Sequence, residues 1–179
     1  MPTSRTTEAL ARGLGLSLVS LEEVDELDLA VDGADEVTAN LDLIKGYGGA
    51  MVREKIVAAA AKRRVILAEP EKLVRSLGER GVLPVEVVTF GWAFSARELS
   101  ALGCHPRRRM LDAAPFMSDN GNYVLDCGIE PLEDPALLQR SILAIPGVVD
   151  TGLFLGMADM VFLEDEQGTV TVRRALRSS

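Results

Sequence analysis

Apolar positions fall along this chain in short blocks whose spacing switches between strand-like alternation and helix-like periodicity. Thr3 or Ser4 offers an N-cap, and Thr6 to Gly13 follows as a short amphipathic helix that stops at glycine. Leu16 to Ser20 predicts a short strand, and the acidic run Glu22 to Glu26 a solvated connection. Leu27 to Val31 predicts a second strand that leads into Asp32-Gly-Ala-Asp-Glu36. A lysine-glycine stretch, Lys45-Gly-Tyr-Gly-Gly49, opens an alanine-rich helix running to Arg63, and Arg64 to Ala68 reads as a buried strand ending before Glu69-Pro-Glu-Lys72. From Leu83 the rhythm changes. Pro84 to Phe90 is a strand, Ser95 to Leu102 a helix stopped by Gly103, and another strand lies near Arg107 to Leu111. A hairpin around Asp119-Asn-Gly-Asn122 leads to a returning strand, Tyr123 to Cys127. Asp134 as N-cap and Pro135 at the first helical position start a helix to about Ala144, and Val148 to Leu155 forms the next strand. That order, βαββαβ, is the ferredoxin-like pattern. Ala158 to Leu163 and Thr169 to Val172 read as a last hairpin before a frayed basic tail.

The lysine-glycine stretch is the chemical centre of this pattern. Gly46, Gly48 and Gly49 permit positive φ and close backbone approach, so the loop can wrap its amides around a small ligand. The helix behind it directs free N–H groups into the same place, a site suited to an anion, and Lys45 adds a full positive charge. A glycine pattern of this kind also serves plain helix entries. Glu54 shifts the balance. At about 100° per residue its neighbours on the helix are Ala50, Met51, Val57, Ala58 and Ala61, all apolar, and its i+4 position is Ala58 rather than a base. Such a carboxylate either complements the helix dipole from the first turn or stands desolvated, poised as a base beside the anion loop. Asp32 and Asp35 follow a strand end, where open α/β sheets bind ligands, although Asp and Gly also favour ordinary turns. Lys72, likewise past a strand end, either reaches the same cleft or starts a helix in solvent. The arginines 107–109 read as a solvated strand edge.

Composition narrows the function classes. With 179 residues and 47% hydrophobic content, the chain can bury a core as one domain or two small ones. A net charge of −8 argues against nucleic acid or an acidic membrane as partner, while leaving a small anion possible at a locally positive site. Cys104 and Cys127 lack metal-binding spacing and suggest free thiols in a reducing compartment; the single histidine, His105, cannot form a cluster. No apolar run approaches the ~20 residues of a membrane span and no signal peptide is visible, so a soluble cytoplasmic protein is expected.

With these motifs in place, the chain resembles the ribose-5-phosphate isomerase A family. The stretches that carry the resemblance are Val31-Asp-Gly-Ala-Asp-Glu-Val37, Ile44-Lys-Gly-Tyr-Gly-Gly-Ala50 with Arg53-Glu-Lys55, Leu83-Pro-Val-Glu-Val87, Asp119-Asn-Gly-Asn122, and Ile145-Pro-Gly-Val-Val149 leading to Gly152-Leu-Phe-Leu-Gly-Met-Ala-Asp159. The resemblance implies reversible interconversion of ribose 5-phosphate and ribulose 5-phosphate, with no metal or organic cofactor. It implies Glu54 as general base, and the run Asp32, Gly33, Ala34, Asp35 as the segment that holds the sugar hydroxyls and assists ring opening. Lys45 with the loop at Gly46, Tyr47 and Gly48 would bind substrate and steady developing negative charge, and Lys72 would contact the sugar.

The implied fold is α/β. A Rossmann-like three-layer domain from 1–83 and 152–179 would carry an inserted ferredoxin-like domain, 84–151, with the whole chain a homodimer or homotetramer. Two departures stand against the family pattern. Its first strand and a Gly-Thr-Gly-Ser-Thr type phosphate loop do not occur in this sequence, so a less stable or self-associated chain with slower turnover is expected. Tyr47 replaces a usually small residue and could narrow the pocket. From other function classes come a non-catalytic sugar-phosphate-binding module and an oligomerising remnant of the same fold. Retention of Asp32, Asp35, Lys45 and Glu54 together favours the enzyme, because a sensor needs no base.

Overall fold

A computed structural model describes residues 1–175; the end of the expected basic tail, 176–179, lies outside the described residues. In chain order the elements are α1 (Arg5–Gly13), β1 (Ala30–Gly33), β2 (Glu36–Val37), β3 (Leu43–Ile44), α2 (Met51–Ala60), β4 (Arg64–Ala68), β5 (Val82–Val87) and α3 (Trp92–Ala101). Then follow β6 (His105–Arg108), β7 (Met110–Leu111), β8 (Ala114–Pro115), β9 (Tyr123–Gly128), α4 (Pro135–Leu143), β10 (Val148–Thr151), β11 (Leu153–Phe154), β12 (Met160–Glu164) and β13 (Val170–Arg174).

One sheet has the order β1-β4-β12-β13, with β1, β4 and β12 parallel and β13 closing a hairpin. Among the described residues β1 pairs along one edge only, with β4, and Leu29 and Val31 stay half exposed there. A second sheet, antiparallel throughout, has the order β10-β5-β9-β6 and packs α3 and α4. Between them lies a small sheet, β11-β3-β2. One core gathers Leu83, Val85, Leu99, Leu125, Cys127 and Ile142 around the second sheet; the other gathers Val37, Leu43, Met51, Ile66, Phe154 and Val161. The two free cysteines are both buried. No helix among the described residues is long and apolar enough to cross a membrane.

Several local expectations hold for the stated reasons. Ser4 caps α1, its hydroxyl accepting from the Thr7 amide, and Asp134 caps α4 by accepting from Leu137. The strand expected at 16–20 does not form. Its alternation is present, but a strand needs a partner for its backbone groups, and no described residue pairs with it. The strand expected at 27–31 regularises only at Ala30 and runs to Gly33; Leu27 makes a single bridge to Ala61. The expected strand near 107–111 is divided, since β6 pairs with β9 while β7 turns back on β8 through Asp112 at φ 53°. The strand expected at 148–155 likewise divides between two sheets, as β10 and β11.

Candidate functional site

Lys45 is the hub. It follows β3 directly, and its amide donates to Gly152 O at 2.9 Å, which fixes the backbone from which the side chain leaves. The side chain is only 5% exposed. Its ammonium donates to Gly33 O at 2.5 Å, lies 2.9 Å from Asp32 Oδ2 and 3.2 Å from Glu54 Oε2, and sits 5.5 Å from the centre of the Phe154 ring. One carbonyl hydrogen bond and two carboxylate ion pairs offset its burial.

Glu54 enters from the first turn of α2, its carboxylate 14% exposed. The contact with Lys45 is short enough for a hydrogen bond, but Oε2 has no donor aligned to it, so we read an ion pair. Burial pushes the Glu54 carboxyl above its ordinary value of 4.5; Lys45 opposes that rise, and the charges of Asp32 and Asp35 add to it. A helix dipole alone would lower it. Thus the lone carboxylate in an apolar stripe is desolvated, and its basic partner comes from β3's end rather than from its own helix.

Asp32 and Asp35 are divided in their attachments. Asp32 Oδ1 accepts from the Gly33 amide at 2.8 Å while Oδ2 faces Lys45. Asp35 Oδ2 accepts from the Tyr47 amide at 3.0 Å and so ties the aspartate stretch to the glycine loop. Glu36, next in sequence, turns inward: fully buried, it accepts from the amides of Gly78 and Arg80 at 2.6 and 2.8 Å, and burial raises its carboxyl.

In the loop, Gly46 at φ 110° and Gly49 at φ 82° take up left-handed backbone, and a Cβ at Gly49 would collide with the Phe116 ring. Gly49 closes a turn onto Gly46 O. No side chain caps the N-terminus of α2, which leaves amides available. Tyr47 is absent from the lining of the cavity around Lys45; its hydroxyl lies 3.5 Å from Val82 O, and burial pushes its phenol up to about 12.

Asp32, Lys45 and Glu54 line a cavity of about 240 Å³ together with Phe154, Met157 and Thr3. Gly33, Ala34 and Lys72 line a larger, shallower one of about 1000 Å³ across the ends of β1, β4 and β12. Lys72 ends the short 3-10 turn Pro70–Lys72, its Nζ 3.6 Å from Glu71. Among the described residues no hydrogen bond or ion pair links it to Lys45, Glu54 or either aspartate. The structure thus brings Asp32, Lys45 and Glu54 together in one cavity, ties Asp35 to the glycine loop through the Tyr47 amide, and places Lys72 on the neighbouring rim. No described group of three or more acidic, histidine or cysteine side chains could hold a metal.

Four supports were not legible in the sequence. Arg109 is no solvated edge; it donates to Gly46 O and Tyr47 O and is only 14% exposed. Arg108 lies against both Trp92 and Tyr123, at 4.6 and 5.1 Å from their ring centres, where the two rings meet edge to face. Lys55 donates to Asp150 and to Thr151 O, anchoring α2 to β10. Arg53 donates to Asn120 Oδ1 and Asp119 O, and that loop is held in turn by buried Glu86, which accepts from Ser118, Asn120 and Asn122. The one signal for these lay in the Asp119-Asn-Gly-Asn122 stretch, richer in side-chain amides than a hairpin turn requires.

A mixed α/β chain with a desolvated carboxylate against a buried lysine, flanked by two aspartates and a free-amide loop, can move protons on a polar anionic molecule. Comparison with known proteins narrows that class. Residues 1–168 match the sequence profile of ribose 5-phosphate isomerase A (phosphoriboisomerase A), and the chain belongs to that family. The ribose-5-phosphate isomerase A of Roseiflexus sp. (strain RS-1) is 54% identical over 171 residues, 95% of this chain and 73% of the relative. The solved ribose 5-phosphate isomerase of Plasmodium falciparum superimposes with a TM-score of 0.92 at 37% identity, covering 97% of this chain and 76% of its own. A ribose-5-phosphate isomerase solved in complex with phospho-erythronic acid matches at 0.92 and 36% identity, with 97% and 76% covered.

Proposed function

We propose that this chain is an aldose-ketose isomerase that interconverts D-ribose 5-phosphate and D-ribulose 5-phosphate. The observation that carries the proposal is the Glu54 carboxylate, 14% exposed, raised in proton affinity by burial, and 3.2 Å from the ammonium of Lys45. Proton abstraction next to a carbonyl needs a base whose affinity approaches the working pH and a fixed positive charge where the oxyanion forms. On the open-chain aldose, Glu54 takes the proton from C2, and electrons shift to give an enediolate. The same carboxyl returns the proton to C1, while the O2 proton passes to O1, relayed by Asp32 or Asp35. Lys45 and the Gly48 amide steady the oxyanion. Asp32 and Asp35 hold hydroxyls and assist ring opening, and Lys72 contacts the sugar from the adjoining rim.

The two sheets support a division into a Rossmann-like domain, 1–83 with 152–179, and an inserted ferredoxin-like domain, 84–151. In support, β5, β6, β9 and β10 stand in the spatial order 4-1-3-2 with α3 and α4 as their crossovers; the first seam falls nearer Val82. Exposed Phe90 and Phe94 favour a homodimer or homotetramer, which light scattering would read directly. Free, buried Cys104 and Cys127 favour a reducing cytoplasmic setting. The function is tested by incubating the chain with ribose 5-phosphate and measuring ribulose 5-phosphate. Sustained formation above the uncatalysed rate, lost in Glu54→Gln, is expected; no formation by the folded chain would reject the isomerase.

A further inference from the structure

Behind the glycine loop lies a side-chain constellation that the proposed chemistry does not use. Arg109 stands between β6 and β7. Asp126 of β9 holds one side of its guanidinium, accepting from Nε at 3.0 Å and from Nη2 at 2.5 Å. The remaining nitrogen, Nη1, donates to two loop carbonyls, Gly46 O at 3.1 Å and Tyr47 O at 3.0 Å. Phe116 completes the grip. Its ring centre lies 5.6 Å from the guanidinium carbon, and the same ring fills the space beside Gly49. A planar fork with five donors can hold a carboxylate and two carbonyls at once, which a lysine ammonium cannot do with the same fixed geometry.

The grip bears on the amides of the loop. In a trans peptide the C=O and the following N–H point in opposite directions. Holding Tyr47 O toward Arg109 therefore turns the Gly48 N–H to the opposite side, and among the described residues that amide has no acceptor. Holding Gly46 O does the same for the Tyr47 N–H, whose acceptor is Asp35 at 3.0 Å. Glycines at φ 110° and 82° leave this loop other backbone states, so an external clamp has a conformational choice to fix.

We infer that Arg109, oriented by Asp126, is a positioning residue for the proposed isomerisation. It locks the Gly46 and Tyr47 carbonyls behind the loop, and so sets the Gly48 amide toward the oxyanion and keeps Asp35 in register with it. Arg109 makes no contact with substrate. The inference rests on the isomerase proposal.

The test compares the parent chain with Arg109→Ala and Arg109→Lys. Turnover of ribose 5-phosphate by the parent comes first: its absence rejects the isomerase proposal, and the inference falls with it. With an active parent, Arg109→Ala is expected to lose ~10-fold or more in kcat with a smaller change in KM, since one misplaced oxyanion donor typically costs ~10²–10³-fold. Millimolar guanidinium chloride should restore several-fold of that loss in Arg109→Ala while leaving the parent unchanged. Arg109→Lys should fall between the two, with a melting temperature close to the parent's. Phospho-erythronic acid, titrated by calorimetry, should bind Arg109→Ala more weakly than the parent. Parent-like kcat in Arg109→Ala would overturn the inference. So would a loss that guanidinium does not relieve, or one that follows the melting temperature across both variants.

Discussion

Glu54→Gln separates a catalytic carboxylate from a structural one, because the two roles predict opposite signs. At 3.2 Å, with an effective dielectric constant near 20, attraction to Lys45 returns at most about 5 kcal/mol to the ionised form. The carboxyl nevertheless sits above its ordinary 4.5, so burial, helped by Asp32 and Asp35, outweighs that attraction. The native chain thus holds this proton more tightly than the unfolded chain does. Between 4.5 and the raised value it binds more protons, and stability falls as pH rises through that window; above it the whole penalty is present. Gln carries no such penalty. Glu54→Gln is therefore expected to melt higher than the parent at pH 8, with the difference vanishing well below pH 4.5. Its turnover should fall at least ~10²-fold, about 3 kcal/mol of barrier, the lower end for a positioned base. The assays are ribulose 5-phosphate formation and thermal melts at the two pH values. A helix-dipole glutamate would give the reverse, a lower melting temperature with activity kept. Turnover within about threefold of the parent would remove Glu54 as the base, on the same scale.

Three further outcomes follow from the same geometry. Lys45→Met should lower both kcat and kcat/KM, and should move the acid limb of the pH profile to higher pH because Glu54 loses its opposing charge; a raised KM with unchanged kcat would confine Lys45 to uniform binding. Gly49→Ala should cost about 2–5 kcal/mol, the sum of left-handed backbone and overpacking against Phe116, or on the order of 10 °C in melting temperature; a parent-like melt would show that the ring yields. Glu86→Ala, leaving Ser118, Asn120 and Asn122 without their acceptor, should destabilise by about 3 kcal/mol or more in urea unfolding, and an unchanged midpoint would mean that water replaces the carboxylate.

What the sequence made legible is what short-range chemistry dictates. Periodicity located β4, β5, β9, α2 and α4 to within a few residues, because each carries its own cap, breaker or apolar run. Glu54 stood out because a carboxylate in an apolar stripe is anomalous whatever surrounds it. The strand expected at 16–20 failed because pairing is a property of the neighbour, and alternation cannot supply one. Arg109 reads locally as a solvated edge for a related reason. Its partners are 63, 62 and 17 residues away, at Gly46, Tyr47 and Asp126, and nothing local separates a clamping arginine from a solvated one. The direction of the Tyr47 phenol, toward Val82, is likewise set by those distant contacts through the loop's twist.

Three consecutive residues of α2 face three different structures: Arg53 grips the loop at Asp119 and Asn120, Glu54 enters the cavity, and Lys55 reaches Asp150. At about 100° per residue the outer two stand on either side of Glu54 like stays on a mast. Any roll of the helix that swings the carboxylate must lengthen one stay and slacken the other. Across generations this ties distant positions together. The side-chain halves of these contacts, Arg53 with Asn120 and Lys55 with Asp150, are the ones expected to change together, while the halves made to the carbonyls of Asp119 and Thr151 tolerate any partner residue.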